Sequence, residues 1–255
     1  MGNGTARLGA WLARYLAQPA HVHSTAPATR PELLLACAQP ADVILVEGNS
    51  RISSAIKYFT QSTWSHAAVY VGPQVRVPGA PAEPCFVEAD VVEGVRMVGV
   101  AEFAGLHTRI CRAAGLDDAA RTKIVDFMIG CIGHQYDLRN VIDLARYLFP
   151  VPVPQRWRRQ ALMLGSGEPT RAICSTLVAR AFQSVRFPIL PMITQESADA
   201  PDCPGCIAEI YRAREASFFV PRDFDVSPYF EVVKPSLHAG FDHRAITWGQ
   251  APAEG

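Results

Sequence analysis

The sequence predicts an α+β fold, an antiparallel sheet packed against helices. Three observations point there. Four to six short apolar segments follow one another with turn signals between them, such as Gly48-Asn49 and Glu93-Gly94. Segments with 3.6-residue periodicity lie before and after these runs rather than alternating with them. Apolar residues make up 49% of the 255 residues and charged residues 19%, which is enough for a core and too little charge for disorder.

The chain opens with MGNGTARLGAWLARYLAQPAHVHS, in which Trp11, Leu12, Tyr15 and Leu16 can form one apolar side of a short helix. It lacks the long apolar run and cleavage site of a secretory signal, and Ala6 stands where the myristoylation pattern needs Ser or Thr. A helix docked on the body is the favoured reading over contact with a membrane surface. Residues 1–30 are therefore read as a helix and a Pro-containing linker, 31–235 as the main domain, and 236–255 as a tail. No run approaches the roughly 18 apolar residues of a membrane span. The formal net charge of zero argues against a nucleic-acid partner held by bulk positive potential.

A strand is expected at Asp42 to Val46, then a short helix over SRISSAIKYFTQSTW with Ser50 as N-cap. The strand His66 to Val71 follows, and GPQVRVPGAPAEP reads as a loop. CFVEADVVEGVRMVGVAEF reads as strand, turn and strand, and HTRICRA as a further strand. DDAARTKIVDFMIGCIG is a helix with acidic residues at its start; YDLRNVIDLARYLF is another, stopped at PVPVP. AICSTLVARAFQSV is a strongly patterned helix whose face holds Ile173, Leu177, Val178, Ala181 and Phe182. The segment from Pro191 to Val233 mixes loop and helix and ends in a strand.

Seven cysteines, an odd and scattered count, do not make a disulfide framework, and reduced thiols in a cytoplasmic setting are expected. Cys174 stands apart because it falls in the first turn of the patterned helix. There the helix dipole and unpaired N–H groups stabilise thiolate over thiol and can receive an oxyanion. A small buried hydrophobe is an equally good reading on position alone. A thiolate nucleophile needs an imidazole. Of the seven histidines, His107 and His134 lie at element ends beside glycines, and His66 is the one taken to be on a clear strand, although a histidine there is more often a hydrogen-bonded core residue. The ring in turn needs an acceptor. On CFVEADVV, Phe86, Glu88 and Asp90 share one face, so Glu88 reaches His66 if the two strands pair antiparallel. Glu88 can instead be a structural partner of Arg96, and Asp90 is the fallback orienter.

Taken together, ADVILVEGNSRISSAIKYFTQSTWSHAAVYVG, FVEAD, YD, ICSTLVARAF and PRDFDVSPYF resemble the circularly permuted papain-like (NlpC-type) cysteine hydrolases of the YiiX/YebB type. The order His, Glu, Cys is the permuted one, shared more distantly by the lecithin retinol acyltransferase group. The resemblance spans roughly Pro40 to Val233. It implies a papain-like fold with the nucleophile Cys174 at a helix N-terminus, the base His66 and the polar third residue Glu88. Ser175, Ser65 and Tyr136 are assigned to oxyanion and site support, and Asp42 and Tyr136-Asp137 to scaffold positions near the site.

The implied chemistry is cleavage of an amide or ester through a thioacyl intermediate, without a cofactor or metal. The substrate is a peptide or cell-wall amide, or an acyl lipid; a lipid acyltransferase or phospholipase-like enzyme and a non-catalytic binding module are the alternatives. YLFPVPVPQRWRR, with aromatics between Arg146, Arg156, Arg158 and Arg159, can rest on anionic lipid, but a surface loop covering the core is the stronger reading. CPGC, Cys203 to Cys206, reads as a loop disulfide or free thiols rather than half of a zinc site.

Overall fold

The computed structural model describes residues 15, 17–19, 27–75, 82–135, 173–200, 203–238, 240 and 242–248. Most of the N-terminal helix, the YDLRNVIDLARYLF helix, the basic-aromatic segment, Tyr136 and Asp137 lie outside the described residues.

α1 (Pro31–Cys37) starts with proline in its first turn, where the missing N–H costs nothing. It leads into β1 (Val43–Glu47), which is buried along nearly its whole length. α2 (Arg51–Thr60) starts where expected: Ser50 Oγ accepts from the Ser53 N–H at 3.2 Å. β2 (His66–Gln74) turns back antiparallel to β1, with His66 opposite Val46. β3 (Glu83–Asp90) and β4 (Gly94–Gly99) form a hairpin, and a 3₁₀ turn covers Val100–Phe103. β5 (His107–Ala113) pairs with the other edge of β1. α3 (Asp118–Gly130) is capped by Asp117, whose Oδ1 accepts from the Ala120 N–H at 2.7 Å.

α4 (Ile173–Ser184) is the Cys174 helix. The β6 (Met192–Ala200) and β7 (Cys203–Arg212) hairpin follows, then a 3₁₀ turn (Ala216–Phe218), α5 (Pro221–Val226), β8 (Phe230–Val233) and α6 (Pro235–His238). The main sheet runs β4-β3-β2-β1-β5-β8, and every pairing is antiparallel. Helices packed on such a sheet make the fold α+β.

Alternation sorts the sheet's side chains between two cores. On one face Val43, Leu45, Ala67, Val69 and Val87 meet Leu177, Val178, Ala181 and Phe182 of α4. Phe182 meets the rings of Phe187 and Phe230 edge-on at 5.6 and 5.1 Å between centroids. On the other face Ile44, Ala68, Tyr70 and Phe86 pack with Leu34 of α1 and Phe103. Small side chains at Ala67, Ala179 and Ala181, all buried, let α4 lie close to β2.

Four expectations are corrected. β2 runs on through Gly72, Pro73 and Gln74, which the proline content had assigned to a loop. The register shifts between Tyr70 and Gly72, and Gly72, at φ 81°, supplies the left-handed conformation that such a bulge needs. VAEF closes into a 3₁₀ turn instead of prolonging β4. The 191–233 region contains a two-stranded hairpin, and CPGC lies on its strand β7, not in a loop. Asp42 sits just before β1, four residues from the end where Val46 faces His66, so about 13 Å away at ~3.3 Å per residue. It is a scaffold residue of the far end of β1: buried, with both carboxylate oxygens accepting from Arg112 at 2.9 and 2.7 Å.

Candidate active site

Three elements converge at one end of the sheet. β2 begins with His66, β3 carries Glu88, and α4 begins beside them with Cys174 in its first turn. Cys174, His66, Glu88, Asp90 and Arg96 line one cleft of about 210 Å³.

His66 and Glu88 lie two positions apart in the β2–β3 register, since Ala68 is the residue opposite Glu88. Diagonal neighbours on one face are within reach of long side chains. His66 Nε2 stands 2.7 Å from Glu88 Oε2. With Nε2 so occupied, Nδ1 is the ring nitrogen left for Cys174, which lines the same cleft. Burial alone would depress the His66 pKa. The Cys174 sulfur and the Glu88 carboxylate outweigh it and hold the ring well above its ordinary value, so the imidazolium is favoured.

Glu88 is itself buried, its side chain 4% exposed. Burial would raise its pKa; His66 and then Arg96 reverse that and hold it down at about 2. Arg96 donates to Glu88 Oε1 from Nε at 3.0 Å and Nη2 at 2.7 Å. Glu88 is thus both the partner of the histidine and the ion-pair partner of Arg96, the two roles the sequence offered as alternatives. Asp90 is not near the ring in this sense. Its Oδ1 accepts from the Val92 and Glu93 N–H groups at 2.7 and 2.8 Å and closes the β3–β4 turn.

Of the residues assigned to site support, Ser175 turns away. Its hydroxyl donates to the Phe219 carbonyl at 2.6 Å, tying α4 to the segment after the 3₁₀ turn. The N–H groups of an α-helix's first turn have no intrahelical acceptor. Ser65 is buried and structural: its Oγ accepts from the Gly48 N–H at 2.9 Å. Tyr136 lies outside the described residues.

Other parts of the cleft went unread in the sequence. Ile52 and Ile56 of α2 wall the cleft with Val46, Phe103 and Leu106. Glu93 and Glu102 hold Arg96 from outside, at 3.0 and 2.7 Å. Among the described residues no group of three or more His, Cys, Asp or Glu side chains is placed to hold a metal ion. No described helix is long and apolar enough to cross a membrane.

Residues 38–148 match the family model described as permuted papain-like amidase enzyme, YaeF/YiiX, C92 family. The matched stretch includes His66, Glu88 and Arg96 and ends before Cys174. Among solved structures, the chain is similar to a crystal structure of metalloprotein yiiX from Escherichia coli O157:H7. The identity is 16% and the TM-score 0.46, over 77% of this chain and 96% of that one. No curated protein matches the chain.

Proposed function

We propose that this chain, whose residues 38–148 belong to the permuted papain-like amidase family, is a thiol hydrolase that cleaves an amide or ester bond with Cys174 as nucleophile. The observation that carries the proposal is the meeting of Cys174, His66 and Glu88 in one cleft, with the imidazole 2.7 Å from a buried carboxylate.

The Cys174 thiolate attacks the substrate carbonyl carbon, forming a C–S bond and an oxyanion that the first-turn N–H groups of α4 stabilise. His66, as imidazolium, gives its proton to the leaving nitrogen or oxygen as that bond breaks. Neutral His66 then takes a proton from water, whose oxygen attacks the thioester. Collapse releases a carboxylic acid and restores the thiolate–imidazolium pair. Glu88 holds the ring orientation and the charge of the imidazolium.

The cleft wall of Val46, Ile52, Ile56, Phe103 and Leu106 supports an apolar group on the substrate. Acyl lipids and peptide or cell-wall amides with apolar side chains are the two classes to assay. Transfer to an acceptor other than water follows the same first half-reaction.

The test is alkylation of the intact protein with iodoacetamide, read residue by residue by mass spectrometry. Cys174, which lines the cleft, is expected to react ahead of Cys111 and Cys131, whose thiols burial pushes up. Turnover of panels of acyl esters and amides is expected to vanish in Cys174→Ala. Equal reactivity at all cysteines, or a Cys174→Ala protein with full turnover, points instead to a non-catalytic binding module or another nucleophile.

A further inference from the structure

The thiol-hydrolase reading leaves Arg96 without a role, yet its guanidinium bonds three carboxylates, those of Glu88, Glu93 and Glu102. Arg96 is the direct register partner of Glu88 across β3 and β4. Two of its nitrogens, Nε and Nη2, converge on the single oxygen Glu88 Oε1, at 3.0 and 2.7 Å. Oε2 is thereby left to His66. Nη1 bonds Glu93 at 3.0 Å, and Nη2 also bonds Glu102 at 2.7 Å. One guanidinium is therefore drawn between an inner carboxylate that faces the histidine and two outer ones on the turn and on the 3₁₀ segment.

Such a clamp does two things. It removes the rotational freedom of Glu88, because swinging the carboxylate would break two charge-assisted bonds. It also fixes how much positive charge Glu88 feels. A free arginine would neutralise Glu88 and weaken its hold on the imidazolium. Glu93 and Glu102 pull the guanidinium outward and offset that.

We propose that Arg96 is a positioning residue: it locks Glu88 with Oε2 toward His66 and, balanced by Glu93 and Glu102, sets the strength with which Glu88 stabilises the thiolate–imidazolium pair. This rests on the thiol-hydrolase reading. The charged groups facing this corner are Cys174 from α4, Glu88 from β3, Arg96 from β4, Glu102 from the 3₁₀ turn, and Asp90 and Glu93 at the β3–β4 turn.

The experiment follows the rate of Cys174 alkylation by iodoacetamide against pH in the full chain, so no substrate need be known. The parent protein is expected to show a low-pH rise as the ion pair forms and a second change as the imidazolium loses its proton. Arg96→Gln removes a positive charge, so both changes move to higher pH, by about one unit. Arg96→Lys keeps the charge and leaves them nearly in place. Glu102→Gln removes a negative charge at a half-exposed position and moves both the other way, by less.

A residue that merely braced the hairpin would lower stability without moving either change, and certainly not in opposite directions. Unmoved profiles in folded Arg96→Gln and Glu102→Gln proteins overturn the proposal. If Arg96→Gln does not fold, the Glu102→Gln profile decides by itself: no downward movement overturns it. A parent protein in which Cys174 titrates as one ordinary thiol overturns the thiol-hydrolase reading, and the role of Arg96 falls with it. That outcome is distinct from a two-step parent profile that the variants leave unchanged.

Discussion

His66 and Glu88 touch at 2.7 Å although they are not partners across the sheet; Ala68 is the residue opposite Glu88. The contact is a diagonal one, and it works because the small Ala68 leaves the face between them open. It has a consequence for acid stability. Glu88 is held from an ordinary 4.5 down to about 2, which corresponds to about 3 kcal/mol. A carboxylate depressed in the folded state contributes stability that is present above its unfolded value and lost as pH falls through its folded one. The window is therefore pH 4.5 down to about 2. His66 shares the same contact from the other side, so that energy is counted once. In the comparison of parent and Glu88→Gln by chemical denaturation, the parent is expected to be the more stable near pH 6, with the difference shrinking across that window. A constant difference across it contradicts the assignment.

Asp90 supplies the contrast. It is one strand pitch from Glu88 on the same face, but its oxygen is spent on two turn amides. Asp90→Ala is expected to cost about 1 kcal/mol of stability, the worth of hydrogen bonds at an exposed turn. The Cys174 alkylation rate at neutral pH should change little, whereas Glu88→Gln should lower it substantially. Similar losses in the two variants would make Asp90 the orienter.

The farther carboxylate gives a third test. Asp42 is buried against Arg112, at the end of β1 opposite to the one that faces His66. Asp42→Ala leaves a guanidinium without its partner and is expected to destabilise by about 3–5 kcal/mol. Thermal melting measures that loss. Well below the melting point, Cys174 in the variant should alkylate at the parent rate, because no site residue moves. A slowed Cys174 in a fully folded sample would return Asp42 to the site.

The parts legible in the sequence are those governed by local periodicity. Ser50 announced α2, the alternation in CFVEADVV put Glu88 on one face with Phe86, and the 3.6-residue pattern after Cys174 gave α4. Pairing was not legible, because register is a property of two strands and the link between β2 and β3 is rich in proline. The order β4-β3-β2-β1-β5-β8 places β1 at the centre, between β2 and β5, and nothing local to these strands says so. Which end of β1 the site occupies was hidden for the same reason, so Asp42 was misplaced. The β6–β7 hairpin escaped because its strands, MITQESADA and CPGCIAEIYR, carry Pro, Gly, Asp and Ala, residues that seldom signal a strand.

The last prediction concerns Gly48, which lines the cleft beside Ser65 and His66. The Gly48 N–H bonds the hydroxyl of Ser65, the residue just before His66, and Ser53 of α2 packs against the same spot. A Cβ on Gly48 would run into Ser53 Oγ and press on Ser65 Oγ at 3.0 Å. The backbone there is not strained, so the constraint is space alone. Gly48→Ala must push the first turn of α2 outward, carrying Ile52 away from the cleft, or displace Ser65 and with it the start of β2. Either movement costs about 1–3 kcal/mol, and only the second disturbs His66. Adding Ser53→Ala removes the atom nearest the clash and should recover part of the stability, a coupling that a double-mutant cycle reads directly. If Cys174 alkylation recovers together with stability, the strain reached His66 through Ser65. If stability recovers while alkylation stays at the parent level throughout, α2 gave way instead, and the cleft rather than the ion pair bears the change.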